Sequence, residues 1–358
     1  MTLLAEILRR RIEVDGPITV AEYMTAALLH PDHGYYMQGN SIGARGDFIT
    51  APEISQMFGE LIGLWCAVTW EQIGAPSPVV LVELGPGRGT LMADALRAIQ
   101  IAPKFYESAD IHLVEASPEL RGLQRQALAG HALKWHAGLE GIPDGPFLLI
   151  ANEFLDTLPV RQLVRRDRSW HERMITIADD GLCFVLDASP SPLAALLPEA
   201  LANEAPQDSL IEISTTALGV ASPVAQRISK FGGAALFVDY GHVETSLGDT
   251  FQALRGQRFA NVLESPGRAD LTAHVDFGAF CGAAAGIAFH GPVGQAIFLK
   301  RLGINERSQT LIDAKPDQRV TIETALRRLT GPDEMGHLFK VVAFTGLDMP
   351  IPPGFESQ

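Results

Sequence analysis

Residues 79–90 read VVLVELGPGRGT, and residues 91–97 continue LMADALR. The apolar run 79–82 ends in Glu83, and glycines then alternate at Gly85, Gly87 and Gly89. A short apolar run closed by a glycine turn predicts a buried strand, and the residues beyond it predict a helix start. Glycine has no Cβ, so the main chain of this turn can approach a bound group closely. The helix start beyond it offers free N–H groups and a positive dipole end. A nucleoside cofactor is the group expected there.

The pattern extends outward from this unit. The segment Pro76-Ser-Pro78 marks a boundary, with a helical region at 1–76 and an α/β domain at 77–358. Strands are expected at 111–115, 133–136, 147–152 and 234–239, with a closing strand at 338–344. A helix is expected at 118–129, with Ser117 as its cap and Pro118 at its first position. Further helices are expected at 215–231, 276–285, 294–302 and 321–329. Strands alternating with helices predict an α/β fold with a doubly wound, Rossmann-like parallel sheet. The alternation breaks at about 162–207. There β-like runs, a turn at Asp179 to Gly181 and an Ala/Leu/Pro-rich stretch read as an inserted β/helical segment.

In the N-terminal region, Leu4, Ile7, Leu8, Arg11 and Ile12 set an apolar stripe at helical spacing. Thr19 and Glu22 have the spacing of a capping box on a second helix. Residues 30–53 form a long glycine-rich loop with aromatic and charged groups, and loops of that length are usually functional. A helix is expected at 54–73.

Bulk composition narrows the function classes. The chain has 358 residues, 47% of them hydrophobic, which suffices for a large core. Its formal net charge is -14, from 28 basic and 42 acidic residues. That sign disfavours nucleic acid as a partner and suits a basic protein substrate. Cys66, Cys183 and Cys281 are far apart and lack metal-ligand spacing, so structural thiols in a reducing compartment are expected. No apolar run has membrane length, so no membrane insertion is expected. The first residues read as an amphipathic helix, and cytoplasmic location is the default expectation.

Strand ends carry the candidate site residues, because ligands of such sheets bind at the carboxyl edge. Glu83 with Gly85, Gly87 and Gly89 is the first group. Glu115, ending the second strand, is placed to accept hydrogen bonds from a ribose diol. Asn152, Glu153 and Asp156 follow the fourth strand and are expected to face the cleft. The position of Asn152 is like that of the Asn-Pro-Pro-Tyr motif of amino-group methyltransferases, without the Pro-Pro-Tyr portion. Asp239 and Tyr240 end a further strand. His274 reads as a helix-start residue, and His30 and His33 as structural or substrate-contacting groups, with no metal site expected. The glycine spacing separates this turn from the Gly-x-Gly-x-x-Gly of a nicotinamide-dependent oxidoreductase, the first alternative. A non-catalytic assembly chaperone on the same fold is the second, and a small-molecule or nucleic-acid methyltransferase the third.

Five segments occur together in one order: HPDHGYY at 30–36, GDFITAPE at 46–53, ELGPGRGTL at 83–91, NEFLDTLPV at 152–160 and DYG at 239–241. In this the chain resembles the MidA-like family of class I S-adenosylmethionine-dependent methyltransferases, over nearly its whole length. The family's mitochondrial member is a complex I assembly factor that methylates arginine in a complex I subunit. The resemblance implies S-adenosylmethionine as cofactor, lined by Glu83, Gly85, Gly87, Gly89 and Asn152, with Glu115 at its ribose. It implies a protein substrate, a respiratory complex I subunit, with arginine N-methylation aiding assembly. Glu53, Asn152, Glu153, Asp156 and Asp239 are then the candidates for orienting and deprotonating the acceptor. Asp47 would join them from a lid-like loop.

Overall fold

The computed structural model describes residues 2–38, 49–179 and 181–356. Its main sheet contains seven long strands: β1 (Val79–Leu84), β2 (Ala109–Val114), β3 (Leu133–His136), β4 (Phe147–Asn152), β5 (Gly233–His242), β6 (Ala288–Gly294) and β7 (Phe339–Thr345). Their order is 3-2-1-4-5-7-6. Neighbours from β3 to β5 run parallel, whereas β7 runs antiparallel to both β5 and β6. The short strand Val275–Asp276 pairs with the end of β5. The chain leaves β1 toward β2 but leaves β4 toward β5, so the order reverses between β1 and β4. A crevice opens at such a reversal, beyond the carboxyl ends of the strands.

The central strands β1, β4 and β5 are largely apolar because both faces are covered. Val79 and Leu81 enter one hydrophobic cluster with Leu148, Ile150 and Leu236. Val80, Val82 and Leu84 enter the opposite one with Leu149, Phe237 and Phe344. The two-residue period of a strand thus divides a continuous apolar run between two layers.

Five helices come first along the chain: α1 (Leu3–Asp15), α2 (Val20–Leu29), α3 (Ala51–Ile54), α4 (Gln56–Gln72) and, after the glycine turn, α5 (Thr90–Ala98). Thr19 and Glu22 cap α2 reciprocally, as the spacing predicts. Helices α4 and α5 lie in close contact. A Cβ on Gly59 would come 2.7 Å from the Asp94 Cβ, and one on Gly63 would come 2.7 Å from the Ala95 main chain. These glycines let α4 press on α5 and hold the helix whose first turn follows the glycine turn.

A second sheet joins Arg161–Arg166, Ser169–Ala178, Gly181–Pro190 and Leu210–Ile213 to the two-residue strand Ile18–Thr19. Ala178 pairs with Gly181 across the expected turn, and Asp180 itself lies outside the described residues. Leu4, Leu8, Tyr23 and Met24 of α1 and α2 share one core with Ile175 and Leu271. The N-terminal helices therefore pack on the inserted strands and on a three-stranded sheet formed by Gln252–Arg255, Arg258–Ala260 and Asp270–Thr272. Among the described residues, no helix is long and apolar enough to cross a membrane.

Candidate cofactor and acceptor site

The turn after β1 uses the conformational freedom of its glycines. Gly85, Gly87 and Gly89 have φ of 60°, 53° and 85°. Side chains are disfavoured in that left-handed region. A Cβ on Gly85 would also meet the Phe154 ring at 2.8 Å. Gly89 is the N-cap of α5.

A cavity of about 850 Å³ opens beside this turn, lined by Gly85, Gly87, Glu115, Glu153 and Tyr36 among others. That volume lies in the range of small-molecule and cofactor sites. A smaller cavity of about 60 Å³ is lined by Glu53, Glu83, Gly85, Gly87, Asn152 and Glu153. Gly85, Gly87 and Glu153 border both.

Glu115 follows β2 and is held firmly. Its carboxylate accepts from the Ser117 N–H at 2.8 Å and from Gln124 Nε2 at 3.1 Å. Gln124 Nε2 also donates to Gly87 O at 2.8 Å, which ties the acid to the glycine turn. Burial pushes the Glu115 acid above its ordinary value. Gln124 escaped the sequence reading because it sits within a helix that looks amphipathic and unremarkable in spacing.

Glu83 is 3% exposed, and its Oε2 has no hydrogen-bond partner among the described residues. Burial, with Glu115 nearby, pushes its acid up to about 8. Glu153 sits just past β4 with φ of 50°, a conformation uncommon outside glycine. Its Oε1 accepts from the Ala51 N–H at 2.8 Å and from Asn152 Nδ2 at 3.0 Å. Its Oε2 and the Asn152 Oδ1 are buried without partners among the described residues. Burial, with Asp156 and Asp270 adding repulsion, pushes the Glu153 acid up to about 8. Glu53, in α3, accepts from the Thr90 hydroxyl at the start of α5.

Asp156 lies behind this surface, 3% exposed. Burial first, then Asp239 and Asp270, hold its acid well above the ordinary range, and Tyr240 hydrogen-bonds to it. Asp270 and Tyr36 were not singled out by the sequence, yet the Tyr36 hydroxyl donates to Asp270 Oδ1 at 2.7 Å.

Asp239 departs from the expectation that it faces the acceptor. Its Oδ2 accepts from the N–H groups of Phe154, Leu155 and Asp156 at 3.1, 2.8 and 3.2 Å, and its Oδ1 from Tyr240 N–H at 2.9 Å. With both oxygens committed to main chain, it shapes the segment that carries Glu153. Burial and Glu153 push its acid up to about 7, against the lowering effect of those donors. Asp239→Ala should therefore destabilise the protein by about 2–4 kcal/mol, read from urea midpoints, because several buried N–H groups lose their acceptor.

The remaining expectations are placed as follows. His30 and His33 stack with ring centroids 5.1 Å apart. No group of three or more His, Cys, Asp or Glu suited to a metal ion occurs among the described residues. His274 packs edge-on against Tyr240, just before the helix capped by Asp276. Asp47 and residues 39–48 of the loop lie outside the described residues.

The unpartnered oxygens Glu83 Oε2, Asn152 Oδ1 and Glu153 Oε2 test what the site can hold. Asn152 Oδ1 is a buried acceptor in need of a donor, and the two carboxyl groups become acceptors once a cation ionises them. A ligand bearing an ammonium group and ribose hydroxyls supplies such donors, and the glycine turn leaves room for its approach. The acids also set a pH dependence. Glu83 and Glu153 have folded values of about 8 against ordinary values of 4.5. The folded state thus binds more protons than the unfolded chain between those values, so their contribution to stability is lost as pH rises through the window. Ligand-free Glu83→Gln should gain on the unmodified protein by about 5 °C in Tm between about pH 5 and 8. An unchanged difference across that range would refute the assignment.

A family model described as "Putative S-adenosyl-L-methionine-dependent methyltransferase" matches residues 61–293. The chain belongs to this methyltransferase family. Among its curated relatives, the mitochondrial protein arginine methyltransferase NDUFAF7 of Xenopus laevis is 39% identical, over 92% of this chain and 81% of the relative. The protein of that name from Homo sapiens is 36% identical, over 96% of this chain and 83% of the relative. A COG1565 superfamily member from Burkholderia thailandensis, solved with S-adenosyl-homocysteine bound, superposes with a TM-score of 0.84 at 28% identity, covering 99% of this chain and 92% of that one. The fold is accordingly that of S-adenosylmethionine-dependent methyltransferases, with S-adenosylmethionine as cofactor. The nicotinamide and non-catalytic alternatives are not favoured. The expectation of a cytoplasmic protein is overturned, because the curated relatives are named as mitochondrial. That default rested on the lack of a recognised targeting pattern, which is no positive signal for a compartment.

Proposed function

We propose that this methyltransferase acts on the guanidinium group of an arginine in a protein, and that the protein is a subunit of respiratory complex I whose assembly the modification aids. The names of the relatives support the arginine part of this reading. The observation that carries it is Glu153: a buried carboxyl group with one oxygen unpartnered among the described residues, bordering both cavities, and surrounded by further acids.

When bound, S-adenosylmethionine supplies an electrophilic methyl group. Gly85, Gly87 and Gly89 would admit it to the main chain, Glu83 and Asn152 would face its amino-acid end, and Glu115 would receive its ribose hydroxyls. The acceptor is a cation with a pKa above about 12, so its nitrogen lone pair is delocalised. Glu153 answers that difficulty. Its Oε2 accepts a guanidinium N–H, draws the positive charge toward the carboxylate and leaves the opposite nitrogen more nucleophilic. An incoming cation also offsets the burial and repulsion that favour the protonated acid, so Glu153 ionises as substrate binds. The ionised group can then take the proton that the nitrogen must lose. Glu53, fixed by Thr90, lines the same small cavity and can hold a second N–H.

Incubation with labelled S-adenosylmethionine and complex I subunits from the same organism tests this reading. Label should appear on an arginine, located by mass spectrometry of the digested subunit. Transfer to another residue type, or none to any subunit by protein that binds the cofactor, would remove the arginine assignment.

A further inference from the structure

The segment HPDHGYY at 30–36 is not used by the chemistry above, yet it forms a closely packed turn beside the site. Gly34 N–H donates to His30 O at 2.7 Å, and the Gln38 side chain donates to His33 O at 2.7 Å and to Gly267 O at 3.3 Å. A Cβ on Gly34 would lie 2.5 Å from His30 N, and one on Gly267, with φ of 79°, would lie 2.2 Å from His33 O. The turn therefore sits directly on the segment that leads into Asp270, and both glycines are needed for that approach.

This docking links Tyr36 to two carboxylates at the ends of different strands, to Asp270 directly and to Glu115 through Ser117. Its main-chain carbonyl accepts from the Ser117 hydroxyl at 2.8 Å, and the Ser117 N–H donates to Glu115 Oε1 at 2.8 Å. Its own hydroxyl donates to Asp270 Oδ1 at 2.7 Å. The residue lines the large cavity together with Glu115 and Glu153. Asp270 is 6% exposed, and its charge bears on both Glu153 and Asp156.

We propose that Tyr36 is a positioning residue that ties the ribose-side acid Glu115 to the acceptor-side acids through Asp270. The inference rests on the acceptor role proposed for Glu153. The phenol donates a hydrogen bond to the Asp270 carboxylate and so fixes its orientation. Asp270 in turn fixes the negative field felt by Glu153. Removal of the hydroxyl leaves the ring and the main-chain contact with Ser117 in place, so the cofactor side is untouched while the acceptor side loses its alignment.

The test compares Tyr36→Phe, Asp270→Asn and the double variant with the unmodified enzyme. S-adenosyl-homocysteine binding is measured by calorimetry, and turnover is measured on the acceptor that the unmodified enzyme uses. Turnover should fall about tenfold in each single variant, with the S-adenosyl-homocysteine Kd within about twofold of the original. The double variant should be no worse than Asp270→Asn alone, because the phenol acts only through the Asp270 carboxylate. Unchanged turnover in Tyr36→Phe, a loss explained by weaker S-adenosyl-homocysteine binding, or additive losses in the double variant would each overturn the proposal. Failure of the unmodified enzyme to modify arginine is a separate result. It would overturn the arginine reading, while the tie through Tyr36 stands or falls on the variant comparison.

Discussion

Glu153→Gln should lower methyl transfer by about 10²–10³-fold while leaving S-adenosyl-homocysteine binding nearly intact. The amide keeps the volume and can still accept from the Ala51 N–H, so the local fold survives. What disappears is the negative charge that would pair with the guanidinium and the base that takes its proton. Activity of the unmodified enzyme should rise with pH over the range in which Glu153 ionises, and the residual activity of the variant should lack that rise. The sign follows from the group's position: its acid is pushed up to about 8 without a cation nearby, so low pH holds it protonated and unable to act. Steady-state rates across pH, paired with calorimetric binding, separate the two contributions. A variant with full activity would place the acceptor elsewhere.

The largest effect on cofactor binding is expected from Gly85→Val. The position has φ of 60°, and any Cβ there would lie 2.8 Å from the Phe154 ring. A β-branched residue must either abandon the turn or displace Phe154, and both cavities border this point. S-adenosyl-homocysteine affinity should drop at least about 100-fold, and turnover with it. Gly122→Ala is the matched control, since nothing lies within 4 Å of a Cβ there. Affinity retained in Gly85→Val would mean that the turn is not part of the cofactor site.

The contrast between these residues and Asp239 shows what could be read before the fold was known. Strand, glycine turn and helix were legible from 79–97 because apolar period, missing Cβ atoms and helix start are all local signals. The reciprocal cap of Thr19 and Glu22 and the helix cap by Ser117 are local as well. Asp239 looks the same in sequence as any acid at a strand end. Its commitment to main chain depends on three N–H groups more than eighty positions away, which no spacing rule reveals. Tyr36 and Asp270 are separated by 234 positions, so their pairing is equally silent. The strand Ala288–Gly294 escaped notice because Gly291 and Pro292 interrupt its pattern; it tolerates them as the edge of the sheet, at an irregular register. The helix Ile304–Ala314 was missed because it buries little beyond Ile304, Ser308 and Ile312, a stripe too thin to stand out.

The N-terminal helices illustrate a subtler gap. Their apolar stripe announced burial but not the partner. Leu8, Tyr23 and Met24 pack with Ile175 and Leu271, so residues before β1 and residues between β4 and β7 build one wall beside the cavity. That wall carries Tyr36 and Asp270, whereas the turn at 85–89 carries the expected cofactor contacts.

The central claim is that a guanidinium meets Glu153 beside the cofactor, and the most direct measurement is a crystal structure with S-adenosyl-homocysteine and an arginine-containing peptide of the substrate bound together. The account predicts the ribose at Glu115, the sulfur near Asn152 and Glu153, and a guanidinium nitrogen within about 3 Å of Glu153 Oε2. A guanidinium held by other groups, with Glu153 Oε2 turned to the protein, would contradict it.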